Sequence, residues 1–362
     1  MHSFTNDYSE GAAPEVLDAL VRTNLEQTPG YGEDAHCARA ADLIRGAVGQ
    51  PEAFVKFVPG GTAVNTLAIT ALTDEFEGPI CAEGAHPTIH ETGAVEACGR
   101  RLLASRDTQG LLTPEGAERI YQESIATRCH TTRPGMVHIA NATEYGHAFT
   151  RAEFDALCDW AEGHDLPVYV DGARMASACM APGADLDVRH VAARADAFTL
   201  GGTKNGLLFG EALVVCPRSE RAQRAIERIP YLTKRAGALT AKGRVMGVQF
   251  EAAFDPALAD AAGLAPYWRY AAHANEMAAR LAAGFEDAGF EQVPGSTTNQ
   301  RFFWATAAET QAFLAACNNE TMAGDDPTGV GRTMVRFVTS WATPPEAVDE
   351  LVAFARQLRG RS

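Results

Sequence analysis

A carboxylate and a lysine that can share one chemistry follow neighbouring predicted strands. Asp171 ends the apolar run in YVDGAR, and Lys204 lies in GGTKNG directly after the run AFTL. The carboxyl ends of parallel strands meet at one edge of a sheet, where α/β proteins bind ligands. Taken singly, Asp171 is also consistent with a helix cap and Lys204 with an exposed surface lysine. Together they form the pair that pyridoxal 5′-phosphate requires, an amine for its aldehyde and an anion for its pyridinium nitrogen.

A phosphate site and two histidines accompany this pair. In FVPGGTAVN a strand, a glycine turn and a helix follow in order, so the amides near Gly61 and Thr62 and the Thr62 hydroxyl can hold an anion. A Gly-Gly turn alone is common. His86, in EGAHPTIHETG, can lie on a cofactor ring or cap a helix. His130, in RCHTTRP, is either an acid/base group or a surface-loop histidine, and the sequence leaves both choices open.

The elements that must position these residues are those of an α/β protein. Seven short apolar runs rich in β-branched and aromatic residues alternate with helical periodicity, which predicts a mainly parallel sheet covered on both faces. The predicted strands are 53–58, 79–82, 100–104, 136–140, 167–171, 197–200 and 211–216. Helices are predicted after Pro14, over 34–48, and from Thr62, Thr113 and Thr150.

The pattern changes after about residue 230. An Ala-rich helical stretch over 239–262 precedes another over 268–284, and the runs RFFWAT and TMVRFVT then frame a short helix over 309–317. The final run PPEAVDELVAFARQL reads as a helix. We therefore expect an N-terminal segment (1–30), a large cofactor-binding domain (31–238), a connecting helix (239–262) and a small C-terminal α+β domain (263–362).

Composition excludes several classes of function. The 362 residues are 46% hydrophobic and 21% charged, as in ordinary globular proteins. A net charge of −15 makes nucleic acid and anionic membrane surfaces unfavourable partners. The longest apolar stretches are shorter than the roughly 20 residues of a membrane span. No signal peptide is recognisable, and the eight cysteines show no C-x-x-C spacing. We expect a cytoplasmic protein with reduced thiols and no metal site.

Ten motifs in order resemble the low-specificity L-threonine aldolases, which are fold type I (aspartate-aminotransferase-like) pyridoxal-phosphate enzymes. The matching segments cover nearly the whole chain: NDYSEGAAPEVLDAL, GYGED, VPGGTAVN, AHPTIHE, HTTRP, NATEYG, VDGAR, GGTKNG, TKRAGALTAKGR and VRFVTSWAT. The resemblance implies a cofactor site made of Lys204 as the covalent attachment, Asp171 at the pyridinium nitrogen, His86 on the ring, Gly61 and Thr62 at the phosphate with Thr203 close by, and Arg174 and Arg235. It implies a substrate site made of Asn6, Tyr31, Arg174 and Arg336.

The implied activity is cleavage of L-threonine, L-allo-threonine and related L-3-hydroxy-α-amino acids to glycine and an aldehyde. His130 is expected to accept the hydroxyl proton, with His86 as the competing candidate. Alternatives are a β-eliminating lyase or an amino-acid racemase on the same scaffold, with Lys204 as the base. A cofactor carrier without turnover would not need two arginines for a carboxylate. The family assembles as a dimer or a dimer of dimers with shared sites, which implies a homo-oligomer here, expected as a homotetramer.

Overall fold

The computed structural model describes residues 2–106, 110–322 and 324–360. Within them, one sheet contains seven strands in the order β1-β7-β6-β5-β4-β2-β3. Strands β1 to β7 are Phe54–Val58, Glu77–Ala82, Leu103–Ser105, Arg133–Ala140, Val168–Asp171, Ala197–Gly201 and Glu211–Val215. Strands β2 to β6 run parallel, and β7 is antiparallel to both of its neighbours. The predicted α/β class and all seven predicted strands are confirmed.

The helices of the described residues are α1 to α14. Their bounds are Pro14–Thr23, Ala35–Val48, Gly61–Leu72, His86–Ile89, Ala94–Ala97, Pro114–Ala126, Arg151–Gly163, Met175–Cys179, Val188–Arg194, Glu220–Arg235, Arg244–Phe254, Pro266–Ala288, Ala307–Cys317 and Pro345–Leu358. No helix in the described ranges combines the length and the apolar character that spanning a bilayer would need.

The large sheet is buried on both faces because its strands carry apolar side chains in both directions. Along β5, Tyr169 packs into the cluster with α3 and α10, whereas Val170 packs into the cluster with α2 and α11. Leu213 and Val214 of β7 divide between the same two clusters. Neighbouring residues of a strand point to opposite faces, so such continuous apolar runs require a sheet between two helical layers.

A second, antiparallel sheet lies in the C-terminal third. Its strands β8 to β11 are Glu291–Gln292, Gln300–Ala305, Glu320–Met322 and Thr333–Val338, in the order β10-β11-β9-β8. An aromatic cluster built on Phe285, Phe303 and Phe337 forms its core. The N-terminal segment joins this sheet, because the Phe4 amide donates to Cys317 O (3.1 Å) and Phe4 O accepts from the Val338 amide (2.9 Å).

The predicted connecting helix over 239–262 is wrong in its extent. Only α11, residues Arg244–Phe254, is α-helical there, and a single 3₁₀ turn follows. Pro256 lacks the amide hydrogen that a continuing helix needs, and Gly263 takes a left-handed conformation with φ +82°. Helix α11 packs against α1 and α2 and so belongs to the layer beneath the large sheet.

Candidate active site

The carboxyl ends of strands β2, β4, β5 and β6 share one edge of the large sheet, and Asp171 lies at its centre. Asp171 ends β5 beside Ala140, the last residue of β4. The carboxylate is buried. Its Oδ2 accepts a hydrogen bond from Asn65 Nδ2 at 2.9 Å, and its Oδ1 accepts one from the Ala173 amide at 3.1 Å. The structure thus provides a buried, oriented anion where the sequence predicted one.

Lys204 lies in the loop between β6 and β7, at the same edge. Glu211, the first residue of β7, holds this loop: its carboxylate accepts from the Gly202 amide (3.0 Å) and from the Thr203 hydroxyl (2.8 Å). Gly206 has φ +84°, a conformation that favours glycine. Burial raises the pKa of Glu211 to about 7. The Thr203 hydroxyl therefore donates to the carboxylate at the start of β7, and its expected place beside a cofactor phosphate stays a prediction.

His86 begins α4, just after β2, and is held by a buried acid. Its Nδ1 is 2.8 Å from Glu91 Oε1, and the Glu91 side chain is fully buried. The same Oε1 accepts from Asn65 Nδ2 at 2.7 Å, so Asn65 bridges Glu91 and Asp171. The hydrogen bond with Glu91 raises the pKa of His86 above its usual value and outweighs burial, which acts in the opposite direction.

Helix α3 presents an open N-terminus at this edge. Gly60, its N-cap, is extended, and no side chain caps the helix. Beyond each position where a Cβ of Gly60 or Gly61 would lie there is open space, and Thr62 is exposed. An uncapped helix N-terminus offers amide donors and a positive dipole end to an anion. These residues fit a phosphate, and with Asp171 and Lys204 they fit pyridoxal phosphate.

Arg174 is engaged by two acids. Its Nε and Nη2 donate to Asp7 at 2.7 and 3.1 Å, and its Nη1 lies 3.8 Å from Glu144 Oε2. Burial lowers the pKa of Arg174, but the charges of Asp7 and Glu144 outweigh it and the net pKa is raised. Asn6, one residue before Asp7, uses its side-chain oxygen to accept from the Tyr8 amide and the Ser9 hydroxyl. The N-terminal segment therefore closes over the large sheet through Asp7.

Arg336 approaches the same segment from β11. Its guanidinium donates to Thr5 O and to Gln300 Oε1, each at 3.3 Å, and pairs with Glu320 of the neighbouring strand β10. Its Nε is buried without a partner among the described residues. Gln300 in turn donates to Thr143 O at 3.4 Å, just beyond β4. The small sheet thus places a buried, incompletely satisfied arginine beside the N-terminal segment.

Three of the predicted site residues are not joined to the hydrogen-bonded group around Asp171 within the described part of the chain. His130 is exposed and precedes the amino end of β4, whereas Asp171 pairs with the carboxyl end of that strand. Eight residues at roughly 3.3 Å each separate the two ends by about 23 Å. Tyr31 lies under the Lys234 ammonium (5.4 Å) in a left-handed conformation, and Arg235 is exposed at the end of α10. Within one chain His130 therefore lies at the opposite end of β4 from Asp171, and among the described residues Tyr31 and Arg235 form no hydrogen bond or ion pair with the group around Asp171.

The site contains further polar residues that sequence reasoning did not single out: Asp7, Asn65, Glu91, Glu144 and Glu211. A signal existed for two of them. Asn65 interrupts the apolar run of α3, and Glu211 stands at the head of an apolar strand just after a glycine loop. Polar residues in such buried settings need partners. Among the described residues, no group of histidine, cysteine and acidic side chains is arranged to hold a metal ion.

A mainly parallel seven-stranded sheet, an aspartate ending one strand, a lysine after the next and a smaller C-terminal sheet define a fold type I pyridoxal-phosphate enzyme. Comparison with known proteins agrees. The family model described as beta-eliminating lyase matches residues 4–337. A low specificity L-threonine aldolase of Pseudomonas sp. (strain NCIMB 10558) is 32% identical over 98% of this chain and 96% of its own length. The low specificity L-threonine aldolase of Pseudomonas aeruginosa is 31% identical over 99% of this chain and 98% of its own length.

A solved structure gives the same result. A threonine aldolase of Leishmania major superposes with a TM-score of 0.91 at 34% identity and covers 99% of this chain and 100% of its own. The chain therefore belongs to the beta-eliminating lyase family, together with these low-specificity L-threonine aldolases, and is a lyase that uses pyridoxal 5′-phosphate. The predicted family, fold type and cofactor are confirmed.

Proposed function

We propose that this enzyme cleaves L-threonine, L-allo-threonine and related L-3-hydroxy-α-amino acids to glycine and an aldehyde. One observation carries the proposal: a carboxylate, a lysine, an imidazole and the buried Arg174 lie at one edge of the large sheet, and the buried Arg336 reaches the N-terminal segment there from the small sheet. They do so in a chain that matches threonine aldolases from end to end. The β-elimination and racemisation alternatives have no comparable support among these relatives.

Lys204 would attach the cofactor, Asp171 would face its pyridinium nitrogen, and the open N-terminus of α3 at Gly61 and Thr62 would hold its phosphate. When bound, pyridoxal phosphate supplies the electron sink for the pair released from the broken Cα–Cβ bond. Arg336 retains donor capacity at its buried Nε for the substrate carboxylate. Arg174, with Asn6 on the adjoining segment, would line the same end of the site.

His86 would move the hydroxyl proton. Its Nδ1 is committed to Glu91, so Nε2 is the ring atom left to face the substrate. The hydroxyl gives its proton to Nε2, the Cα–Cβ bond breaks, and the oxygen becomes the aldehyde carbonyl. A proton then returns to Cα to give glycine. Because the hydrogen bond with Glu91 raises the pKa of His86 despite burial, the neutral imidazole dominates only above that raised pKa.

We further propose that the enzyme is a cytoplasmic homo-oligomer, a dimer or a dimer of dimers, in which a second copy brings Tyr31, His130 and Arg235 to the site. Two observations support an oligomer: His130 lies at the end of β4 opposite to Asp171, and α1 with its following turn exposes Leu17, Val21 and Leu25 at helical spacing. The eight free cysteines, five of them buried, support a reducing compartment.

Product analysis tests the activity. The purified holoenzyme is incubated with L-threonine, and glycine, acetaldehyde, ammonia and 2-oxobutanoate are quantified. The proposal predicts glycine and acetaldehyde in equal amounts. Ammonia with 2-oxobutanoate would instead show β-elimination, and D-amino-acid formation without cleavage would show racemisation. If His130→Gln alone proves inactive, co-expression with Lys204→Ala subunits tests the sharing of sites, since mixed oligomers then regain activity only if His130 acts across the interface.

A further inference from the structure

A continuous chain of hydrogen bonds joins Asp171 to His86, and it is buried as far as Glu91. It runs from Asp171 to Asn65 (2.9 Å), from Asn65 to Glu91 (2.7 Å) and from Glu91 to His86 (2.8 Å). Tyr169 extends it, because its hydroxyl donates to Asn65 Oδ1 at 2.7 Å. Two of these residues, Asn65 and Glu91, are not assigned above to contact with the substrate or the cofactor.

The orientation of the Asn65 amide is dictated by its partners. A carboxylate can only accept hydrogen bonds, so the Nδ2 of Asn65 must face both Asp171 and Glu91. The Tyr169 hydroxyl then donates to the remaining oxygen. Asn65 is 1% exposed, and all its hydrogen-bonding groups are used. A buried amide satisfied in this way has one orientation and rigidly spaces the two carboxylates.

Glu91 fixes the histidine in the same way. Its Oε1 receives both Asn65 Nδ2 and His86 Nδ1, and its Oε2 is buried with no partner among the described residues. Since Glu91 can only accept, Nδ1 of His86 must carry a hydrogen. The ring is therefore held by one nitrogen and presents the other.

We propose that Glu91 and Asn65 are positioning residues of this enzyme: Glu91 holds the His86 ring through Nδ1, and Asn65 sets Glu91 at a fixed spacing from Asp171. His86, expected on the face of the cofactor, and Asp171, expected at the cofactor's ring nitrogen, are then parts of one hydrogen-bonded unit. The role of Nε2 as proton acceptor rests on the proposed function. The pKa of His86 and the affinity for the cofactor, which report on the positioning itself, are measured independently of turnover.

The charge environment of His86 gives the unit a measurable signature. The hydrogen bond with Glu91 is the largest influence and raises the pKa of His86; burial lowers it, Glu144 and Asp171 raise it, and Lys204 lowers it. The neighbouring imidazoles are His90, with ring centroids 5.4 Å apart, and His138, which burial keeps neutral through a lowered pKa. Removing the Glu91 charge should therefore lower the pKa of His86.

The experiment titrates the His86 ring by NMR in the full-length, histidine-labelled protein freed of cofactor, with the signal assigned by its loss in His86→Gln. We expect Glu91→Gln, which keeps the side-chain volume, to lower the pKa of His86, and Glu91→Asp to restore part of it. Cofactor affinity is measured on the same samples by titration with pyridoxal phosphate. We expect it to fall about tenfold in Glu91→Gln and in Asn65→Ala, because each loses hydrogen bonds to charged groups.

Asp155→Asn is the matched control. It removes an acid from a histidine pair of similar length, His190 Nε2 to Asp155 Oδ1 at 2.7 Å, on α7 and α9, neither of which contributes a residue to the hydrogen-bonded chain. It should leave the pKa of His86 and the cofactor affinity unchanged. If Asn65→Ala does not fold, Tyr169→Phe removes only the hydroxyl that orients Asn65 and should weaken cofactor binding in the same direction.

An unchanged pKa of His86 in folded Glu91→Gln, or cofactor affinities equal to wild type in Glu91→Gln and in the Asn65 or Tyr169 variant, would overturn the proposal. Neither readout depends on which substrate the enzyme cleaves. Failure of the proposed function would appear instead in the products formed by the wild type.

Discussion

Replacing Asp7 by asparagine removes one partner of the buried ion pair that ties the N-terminal segment to the large sheet. Asp7 is 1% exposed, and its carboxylate accepts from Arg174 Nε and Nη2 and from Asn299 Nδ2 at 2.7, 3.1 and 3.0 Å. Leaving a buried charge without its partner costs about 3–5 kcal/mol. Glu144 remains 3.8 Å from Arg174. We therefore expect the lower end of that range, about 3 kcal/mol of unfolding free energy.

The assay is urea unfolding followed by tryptophan fluorescence at fixed protein concentration. Asp349→Asn is the matched control, because it breaks a two-bond pair with Arg280 (2.8 and 2.6 Å) that is half exposed. Exposed pairs contribute under about 1 kcal/mol. If Asp7→Asn destabilised the protein no more than Asp349→Asn does, the buried pair would not hold the segment as we argue.

The same variant has a defined pH dependence. Burial alone would raise the pKa of Asp7, but the charges of Arg174 and Lys204 and the hydrogen bonds from Arg174 and Asn299 hold it below its usual 3.8. A carboxyl whose folded pKa is depressed contributes stability that is present above the unfolded pKa and is lost as the pH falls through the folded pKa. The difference between wild type and Asp7→Asn should thus be full at neutral pH and shrink below about pH 3.8.

Three further substitutions probe other parts of the account. Burial lowers the pKa of His138, so below pH 6.5 this side chain binds a proton in the unfolded chain more readily than in the folded one, and stability falls. In His138→Met the free energy of unfolding should fall less steeply below pH 6.5, by up to about 1.4 kcal/mol per pH unit. An unchanged slope would contradict this. Arg336→Lys should raise KM for L-threonine roughly tenfold or more, since lysine lacks the fork that binds a carboxylate, and an unchanged KM would remove Arg336 from the substrate site. His86→Gln should lower kcat about 10²- to 10⁴-fold, and a larger loss in His130→Gln would assign the proton to His130.

The fold could be predicted from the sequence because its signals are local. Each of the seven strands of the large sheet is an apolar run of a few residues, and helices such as α6 and α7 begin at threonine caps, Thr113 and Thr150, that the sequence displays. The predicted connecting helix is too long because its Ala-rich composition favours a helix throughout, whereas Pro256 and Gly263 do not continue one.

The places of Asp171, Lys204, His86 and the start of α3 were predictable because each lies at or shortly after the end of a strand of one sheet. Their partners were not, since Arg174 with Asp7, or Asn65 with Asp171, are more than a hundred residues apart. Long-range pairing of this kind leaves no local periodicity. His130 precedes the amino end of β4, and only the carboxyl end reaches the site, so its predicted role stays a prediction that requires a second copy of the chain.

The proposed active site depends most directly on which lysine carries the cofactor, and the chain contains only four lysines: Lys56, Lys204, Lys234 and Lys242. Borohydride reduction of the holoenzyme fixes the bound cofactor to its lysine, and peptide mass spectrometry then locates it. We predict a single modified peptide that carries Lys204, lost in Lys204→Arg and retained in Lys56→Arg. Cofactor fixed to Lys56, Lys234 or Lys242 in the wild-type protein would contradict the site described here.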